Sequence, residues 1–451
     1  MAEYGVMTVA CDVVVVGLGP GGEAVVARLA QGGLKVVAVE AELVGGECPY
    51  WGCIPSKMFI RAANALAEAR RVEKLAGGVS VIPDFAPVAR RIRDEATDNW
   101  DDTVAAKRVT DAGATLVRGH GRLVGDRTVE VDRETYVASK GVVLNTGTTA
   151  AVPPIAGLAD TPYWTNREAL ATESIPASLI VIGGGAIGLE LAQAFSRFDS
   201  QVTVLEVAPR ILAPEEPESS EILAKVFEAE GISVHAGITI DRVDHDGSRF
   251  TVTCGDATYE SDQLLVAAGR KSRLDDIGLE TVGVAVDRFL TVDDSMQVAD
   301  GLWAIGDIVG RGAFTHVSMY HAERVSKAIL GEDPGPYDTS FPRVTFTDPE
   351  VGGVGLTEKQ ARDNGINVRV GTSEIPSSSR GWIHSVGNEG LIKLVIDDDR
   401  GVIVGATSAG PTGGETLSAL AFAVRAEIPV STLRNTIYAY PTFYRAIESA
   451  L

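Results

Sequence analysis

The segment "DVVVVGLGPGGEAVVARLAQGGLKVVAVEAE", residues 12–42, decides the fold. It opens on an apolar run that reads as a buried strand, turns through Gly17, Gly19 and Gly22 into a helix, and reaches a second strand ending at Glu40. In that context each glycine has a separate use: a tight turn, close approach of backbone to a pyrophosphate, and helix–strand packing. The helix N-terminus then faces phosphate, and the acid at the end of the second strand accepts from a ribose hydroxyl. The same pattern recurs in "SLIVIGGGAIGLELAQAFSRFDSQVTVLEVAPR", residues 178–210, with Gly183, Gly185, Gly188 and Glu206. One glycine triplet is weak evidence, but two complete copies predict an α/β chain with two dinucleotide sites.

Bulk properties agree. The chain has 451 residues, 45% of them hydrophobic, enough for two or three domains with large cores. Lys plus Arg number 40 against 61 Asp plus Glu, a formal charge of -21, so nucleic-acid binding is disfavoured. No apolar run reaches the roughly 18 residues needed to span a bilayer, and the start lacks a basic region followed by a cleavage site. The expectation is a soluble, cytoplasmic protein with no membrane partner.

Four cysteines in a chain this long are no disulfide scaffold. Cys11 and Cys254 read as ordinary free thiols in strands. Cys48 and Cys53 share the loop "GGECPYWGCIPSK", residues 45–57, and could be a redox pair, half a metal site or unrelated. A closed zinc site needs four ligands, and no second Cys or His pair stands at that spacing, so no metal is expected. Apolar residues at Met58, Phe59, Ala62, Ala63, Leu66 and Ala69 predict a helix from Pro55, with Cys53 at its N-terminus, where thiolate is favoured. A regular helix holds positions five apart too far away for a disulfide; Gly52 and Pro55 are the residues able to distort the segment.

With these motifs in place, the chain resembles the flavoprotein disulfide reductases of pyridine nucleotides, the family of dihydrolipoamide dehydrogenase, glutathione reductase and mercuric reductase. The likeness spans the thiol loop, both nucleotide folds, "LNTGTTAAVPPIAGL", "LLVAAGRKSRLDDIGL", "GLWAIGDIVG" and the C-terminal "FPRVTFTDPEVGGVGLTEKQAR". It implies an α/β fold of two Rossmann-like domains, one for FAD and one for NAD, plus a C-terminal α+β dimerisation domain, and a homodimer. Boundaries follow at 1–152 (FAD), 153–270 (NAD), 271–335 (completing the FAD domain) and 340–451 (dimerisation).

The resemblance also implies roles. Gly17, Gly19, Gly22, Glu40 and Gly46 would hold FAD, with Gly121 near the adenine, Thr146, Gly147 and Thr315 along the cofactor, and Asp307 on the ribityl chain. Gly183, Gly185, Gly188, Glu206 and Gly269 would hold the nicotinamide cofactor. Cys53 would be the flavin-side thiol and Cys48 the interchange thiol, with Lys57 near the flavin and paired to Glu190. Glu206 suits a free ribose 2′-OH and repels a 2′-phosphate, so NAD is favoured over NADP, with Arg210 four positions on as the counter-indication.

Several positions depart from the family. Where dithiol-reducing members carry a His before Pro-Thr and a Glu five residues later, "IYAYPTFYRAIE" places Tyr440 and Arg445. An imidazole with a pKa of about 6.5 suits proton shuttling to a thiol, and a phenol near about 10 does so poorly. Glu47 replaces a Thr before the first redox cysteine and would raise thiol pKa values unless paired. Pro49, Tyr50 and Trp51 could narrow the substrate side or pack beneath the loop. Of the six histidines, His384 lies on a polar loop of the C-terminal domain. No cysteine follows Cys254, which removes the C-terminal thiol pair of mercuric reductases.

The expected function is hydride transfer from NADH through flavin to a Cys48–Cys53 disulfide and on to an unidentified small-molecule electron acceptor. The alternatives are a quinone, dye or metal-ion reductase acting from the flavin, and thiolate chemistry on a non-disulfide substrate. From another class, a non-catalytic subunit keeping FAD only for its fold is opposed by the retained cysteines, Lys57 and Glu190.

Overall fold

The computed structural model describes residues 7–451. The chain forms two compact units. The first takes in the chain through Pro55, Arg93–Thr149 and Arg270–Tyr337; the second takes in Ser56–Ile92, Ala150–Gly269 and Asp338–Leu451.

In the first unit the strand Met7–Val16 sits between Val36–Glu40 and Glu134–Leu144, parallel to both. Thr115–Arg118 extends the sheet on one side and Leu302–Ala304 on the other, also in parallel. Val13, Val14 and Val15 are fully buried, as a strand covered on both faces requires. The crossover helix Pro20–Gln31 buries Val25, Val26 and Leu29 along one stripe. Because neighbours on the two sides of Met7–Val16 are reached by connections running in opposite directions, its C-terminal end opens on the crevice where such sheets bind ligands. Gly17 stands there.

The second unit repeats the plan with the parallel order Ser233–Ala236, Gln201–Glu206, Ser178–Ile182, Gln263–Val266. Its helix Ala186–Arg197 is buried on nearly every side. The long helix Cys53–Leu75, from Ser56 onward part of this unit, packs Phe59 among Phe85, Phe195 and Phe198 at ring separations of 5.0–5.7 Å. A five-stranded antiparallel sheet, Arg343–Thr345, Glu350–Gly355, Val402–Gly410, Leu391–Asp397, Val368–Glu374, completes the unit with the helix Gly413–Arg425. Buried Lys393 ties that sheet to the preceding α/β segment through Glu216 at 3.0 Å and Glu218 at 2.8 Å, and also pairs with Glu358 at 3.0 Å. A buried cation needs such partners to remain charged.

Among the described residues no helix is long and apolar enough to cross a membrane, and no group of three or more His, Cys, Asp or Glu is placed to hold a metal ion.

Candidate functional site

The first glycine turn is built by sterics. Gly17 has φ +92°, and a Cβ there would lie 2.3 Å from the carbonyl oxygen of Asn145; a Cβ on Gly22 would lie 2.1 Å from that of Gly17. Gly19 precedes the helix Pro20–Gln31 without any side-chain cap, so the first amides of the helix stay available to an anion. Glu40 accepts from the amides of Leu18 at 2.6 Å and Glu42 at 2.8 Å, while burial pushes its carboxyl upward. Gly46 has φ +66° and would bring a Cβ within 2.9 Å of the Gly19 Cα. Gly121 is buried against Val16 and Val39. Gly147, at φ +69°, faces open space, and Thr146 next to it donates to the Arg273 carbonyl at 2.7 Å. This cradle of small residues, free amides and a terminal acid fits a dinucleotide.

Asp307 lies in the turn Gly306–Val309, where it accepts from the Thr148 hydroxyl at 2.9 Å, and burial pushes its carboxyl upward. The turn is braced from behind by His321, one of the six histidines that the sequence offers as possible acids. His321, fully buried, accepts from the Gly306 amide at 3.3 Å on Nδ1 and meets Tyr337 Oη at 2.8 Å through Nε2. Burial, with Arg311 and Arg324 near, lowers its pKa to about 4, so the ring is neutral.

The second turn is a close copy. Gly183, at φ +114°, leaves no room for a Cβ beside the Ala267 carbonyl, and Gly188 none beside Gly183, whereas Gly185 and Gly269 face open space. Glu206 accepts from the amides of Gly184 and Ala208. Arg210 is fully engaged elsewhere: its guanidinium donates to the carbonyls of Leu212, Ala213 and Glu215 and to the Ser220 hydroxyl, all within 2.9 Å.

The thiol loop folds as a short helix Glu47–Trp51, a break at Gly52, and the helix beginning at Cys53. Gly52 makes the break; Pro55 lies inside the first helical turn, where its missing N–H costs nothing. No disulfide joins the two cysteines in this structure. Cys53 Sγ lies 3.3 Å from Thr315 Oγ1, at the start of the helix Thr315–Leu330. The hydrogen bond between the two thiols, and burial after it, push the Cys48 thiol well above its ordinary range.

Glu47 is paired. Its carboxylate lies 3.2 Å from Arg270 Nη2, and Arg270 also donates to Thr148 Oγ1 at 2.7 Å and the Thr148 carbonyl at 2.8 Å. A chain of polar contacts thus runs Glu47, Arg270, Thr148, Asp307. The aromatics of the loop are packing groups: Tyr50 is buried with its hydroxyl on the Val44 carbonyl at 3.1 Å, and Trp51 stacks on Trp100 at 5.3 Å. Spacing could not reveal Arg270, which comes from a distant segment; the signal was the unexplained acid itself.

In the second unit Lys57 Nζ lies 2.7 Å from Glu190 Oε2 and 4.8 Å from the centre of the Phe346 ring. Glu190 is 6% exposed and takes the Phe346 amide on its other oxygen at 2.8 Å. Tyr440 is 69% exposed, with the Arg445 guanidinium over its ring at 5.6 Å; Arg445 also pairs with Glu448 at 2.8 Å. His384 packs edge-on to Phe443 at 5.4 Å.

Residues 11–322 match the pyridine nucleotide-disulphide oxidoreductase family model, and residues 341–451 match that of its dimerisation domain. The chain belongs to this family. It is 35% identical over 454 residues to a dihydrolipoyl dehydrogenase of Chlorobaculum tepidum, covering 97% of this chain and 96% of the relative. It is 32% identical over 450 residues to a mercuric reductase of Shewanella putrefaciens, covering 97% of this chain and 80% of the relative. Among solved structures, the Cu(II) complex of the HOCl-induced flavoprotein disulfide reductase RclA from Escherichia coli superposes with a TM-score of 0.86 at 25% identity, over 98% of each chain. The family is FAD-binding and NAD(P)H-dependent, so this chain is a flavoprotein oxidoreductase of the α/β fold expected from its sequence, with a C-terminal dimerisation domain.

Proposed function

We propose that this protein is an NADH-dependent homodimeric oxidoreductase in which Cys48 and Cys53 form a redox-active disulfide that hands electrons to a small-molecule acceptor. The observation that carries this reading is the thiol pair itself, held on either side of the Gly52 break between two helices, with Cys53 Sγ 3.3 Å from Thr315 Oγ1. Bound FAD would supply two-electron transfer between nicotinamide and cysteines. Around it, Gly17, Gly19, Gly22, Glu40 and Gly46 would take the adenine-side half, Gly121, Thr146, Gly147, Thr315 and Asp307 the rest. Gly183, Gly185, Gly188, Glu206 and Gly269 would take the nicotinamide cofactor. Cys53 serves as the thiol on the flavin side, while Cys48 is the interchange thiol that meets substrate. The Lys57–Glu190 pair keeps the lysine cation partnered in a partly buried place.

Glu206 caps its strand with two backbone amides and leaves acceptor capacity for a ribose diol, and Arg210 is spent on the following loop. Both support NADH over NADPH. For the homodimer, Trp382, Phe422, Ile437 and Tyr440 leave large apolar surface exposed within the dimerisation domain. The functional segments we assign are 1–152 with 271–335 for FAD, 153–270 for NAD and 340–451 for dimerisation.

A second reading is favoured by residue 440. Reducing a disulfide to two thiols takes up two protons, and Tyr440 and Arg445 replace the pair that would move them. A metal ion needs none, and relatives include mercuric reductases and a structure determined with Cu(II). Anaerobic enzyme reduced with one equivalent of NADH and mixed with lipoamide, glutathione disulfide, a quinone or Hg(II) separates the two. Reoxidation by a disulfide supports the first reading, reoxidation by the quinone or metal alone the second, and failure of NADH to reduce the protein overturns both.

A further inference from the structure

A cavity of about 300 Å³ lies in the second unit, lined by residues with no part in the chemistry above. Asn64, Glu68 and Arg71 enter it from the long helix, seven to fourteen residues beyond Lys57, which is about 10–21 Å along the helix axis at 1.5 Å per residue. Arg380 and His384 enter from the helix Ser379–His384, four positions apart and so on one face, and Phe443 forms a wall between them.

The polar groups of this cavity are unequally committed. Its acids are each ion-paired through one oxygen: Arg71 binds Glu68 at 2.5 Å and Asp348 at 2.7 Å, and the same Asp348 oxygen takes a second cation, Arg197, at 2.8 Å. Asn64 has its acceptor filled by Arg197 at 2.5 Å, which leaves its amide N–H groups to donate. Arg380 makes no ion pair among the described residues; its guanidinium lies over the Phe443 ring at 5.4 Å. His384 meets the same ring edge-on at 5.4 Å, and its nitrogens make no hydrogen bond among the described residues. The uncommitted donors are the guanidinium fork of Arg380, an imidazole N–H of His384 and the amide N–H groups of Asn64. An apolar wall that lowers the local dielectric strengthens each of them toward an anion.

We propose that this cavity is a binding site for a small oxyanion-bearing molecule, a phosphate or carboxylate compound, held by Arg380, His384 and Asn64 against Phe443. Its volume stands at the lower end of small-molecule sites, too small for a dinucleotide. The ligand would be an effector, since the long helix that forms one wall is the element whose first residue is Cys53. The proposal does not depend on the identity of the electron acceptor.

The test is calorimetric titration of the FAD-loaded, full-length protein with inorganic phosphate and, separately, with acetate. Wild type should bind at least one of them, and Arg380→Gln and His384→Gln should each weaken that binding by about tenfold or more, the scale of one charge-assisted hydrogen bond. Arg380→Lys, which keeps the charge but not the fork, should fall between, and the KM for NADH should be unchanged in all three. Preference for phosphate or for acetate identifies which oxyanion the site takes. Binding equal in wild type and all variants would place the anion elsewhere, at the glycine turns, and overturn the proposal, as would no binding of either anion by wild type.

Discussion

At the scale of single residues, the Glu47–Arg270 pair makes the sharpest claim. Each charge compensates the other beside Cys48, so removing one should move the thiols in a direction set by the survivor. Glu47→Gln leaves the Arg270 cation and should lower the pH midpoint for alkylation of the reduced cysteines by roughly half a unit to one unit. Arg270→Gln leaves the carboxylate and should raise it by a similar amount, and the double substitution should return near wild type. Midpoints moving in the same direction in both single variants would show that the pair acts only by holding the loop. Glu206 and Arg210 make a second contrast. Glu206→Ala should shift the kcat/KM ratio toward NADPH by about tenfold, while Arg210→Ala, which removes a loop brace, should lower thermal stability and leave the ratio unchanged. Residue identity was the most legible level of this chain: both terminal acids and the unusual Glu47 stood out in the sequence. What Glu47 meets was not legible, because Arg270 is more than two hundred positions away and no local spacing encodes that contact.

Elements were read with less precision, for a physical reason. Strand, glycine turn and helix in each nucleotide fold follow from hydrophobic period and turn sterics, and the structure repeats them at Met7–Glu40 and Ser178–Glu206 in closely matching form. The helix Glu47–Trp51 is not legible in the sequence, since five residues containing a proline carry no period; it is held by Tyr50 on the carbonyl of buried Val44 and by Trp51 stacked on Trp100. The C-terminal segment is an element whose chemistry is testable. Tyr440→His combined with Arg445→Glu restores the residue types that dithiol-reducing relatives carry, and should raise lipoamide-dependent turnover by about a hundredfold, the usual scale of general acid–base assistance. Single substitutions should give much less, because Arg445 now stacks on the ring that the first change removes. If the double variant gains nothing, proton supply is not what limits this enzyme.

At the scale of the whole molecule, the grouping of segments was beyond sequence reading, since it depends on contacts such as Phe59 with Phe195 and Lys393 with Glu216 that join distant stretches. Stability at this scale carries a pH signature. His321 has a folded pKa of about 4 against 6.5 unfolded, so the folded state favours the neutral ring. Its contribution is fully present above pH 6.5 and is lost as pH falls toward 4. Between pH 7.5 and 5.5 that loss amounts to about 1 kcal/mol, and His321→Gln, which can still accept from Gly306 and donate to Tyr337, should remove it. Denaturant unfolding of both proteins at the two pH values, kept above the pI of about 4.8, measures the difference; equal pH dependence would show that His321 titrates normally.

The account rests most heavily on Cys53 as the thiol that faces the flavin. Anaerobic titration of the FAD-loaded protein with NADH, recorded across the visible spectrum, should give a long-wavelength thiolate-to-flavin band that is absent in Cys53→Ser and kept in Cys48→Ser. A band that survives in Cys53→Ser and is lost in Cys48→Ser would reverse the two assignments, and no band in any of the three would contradict a redox role for the pair.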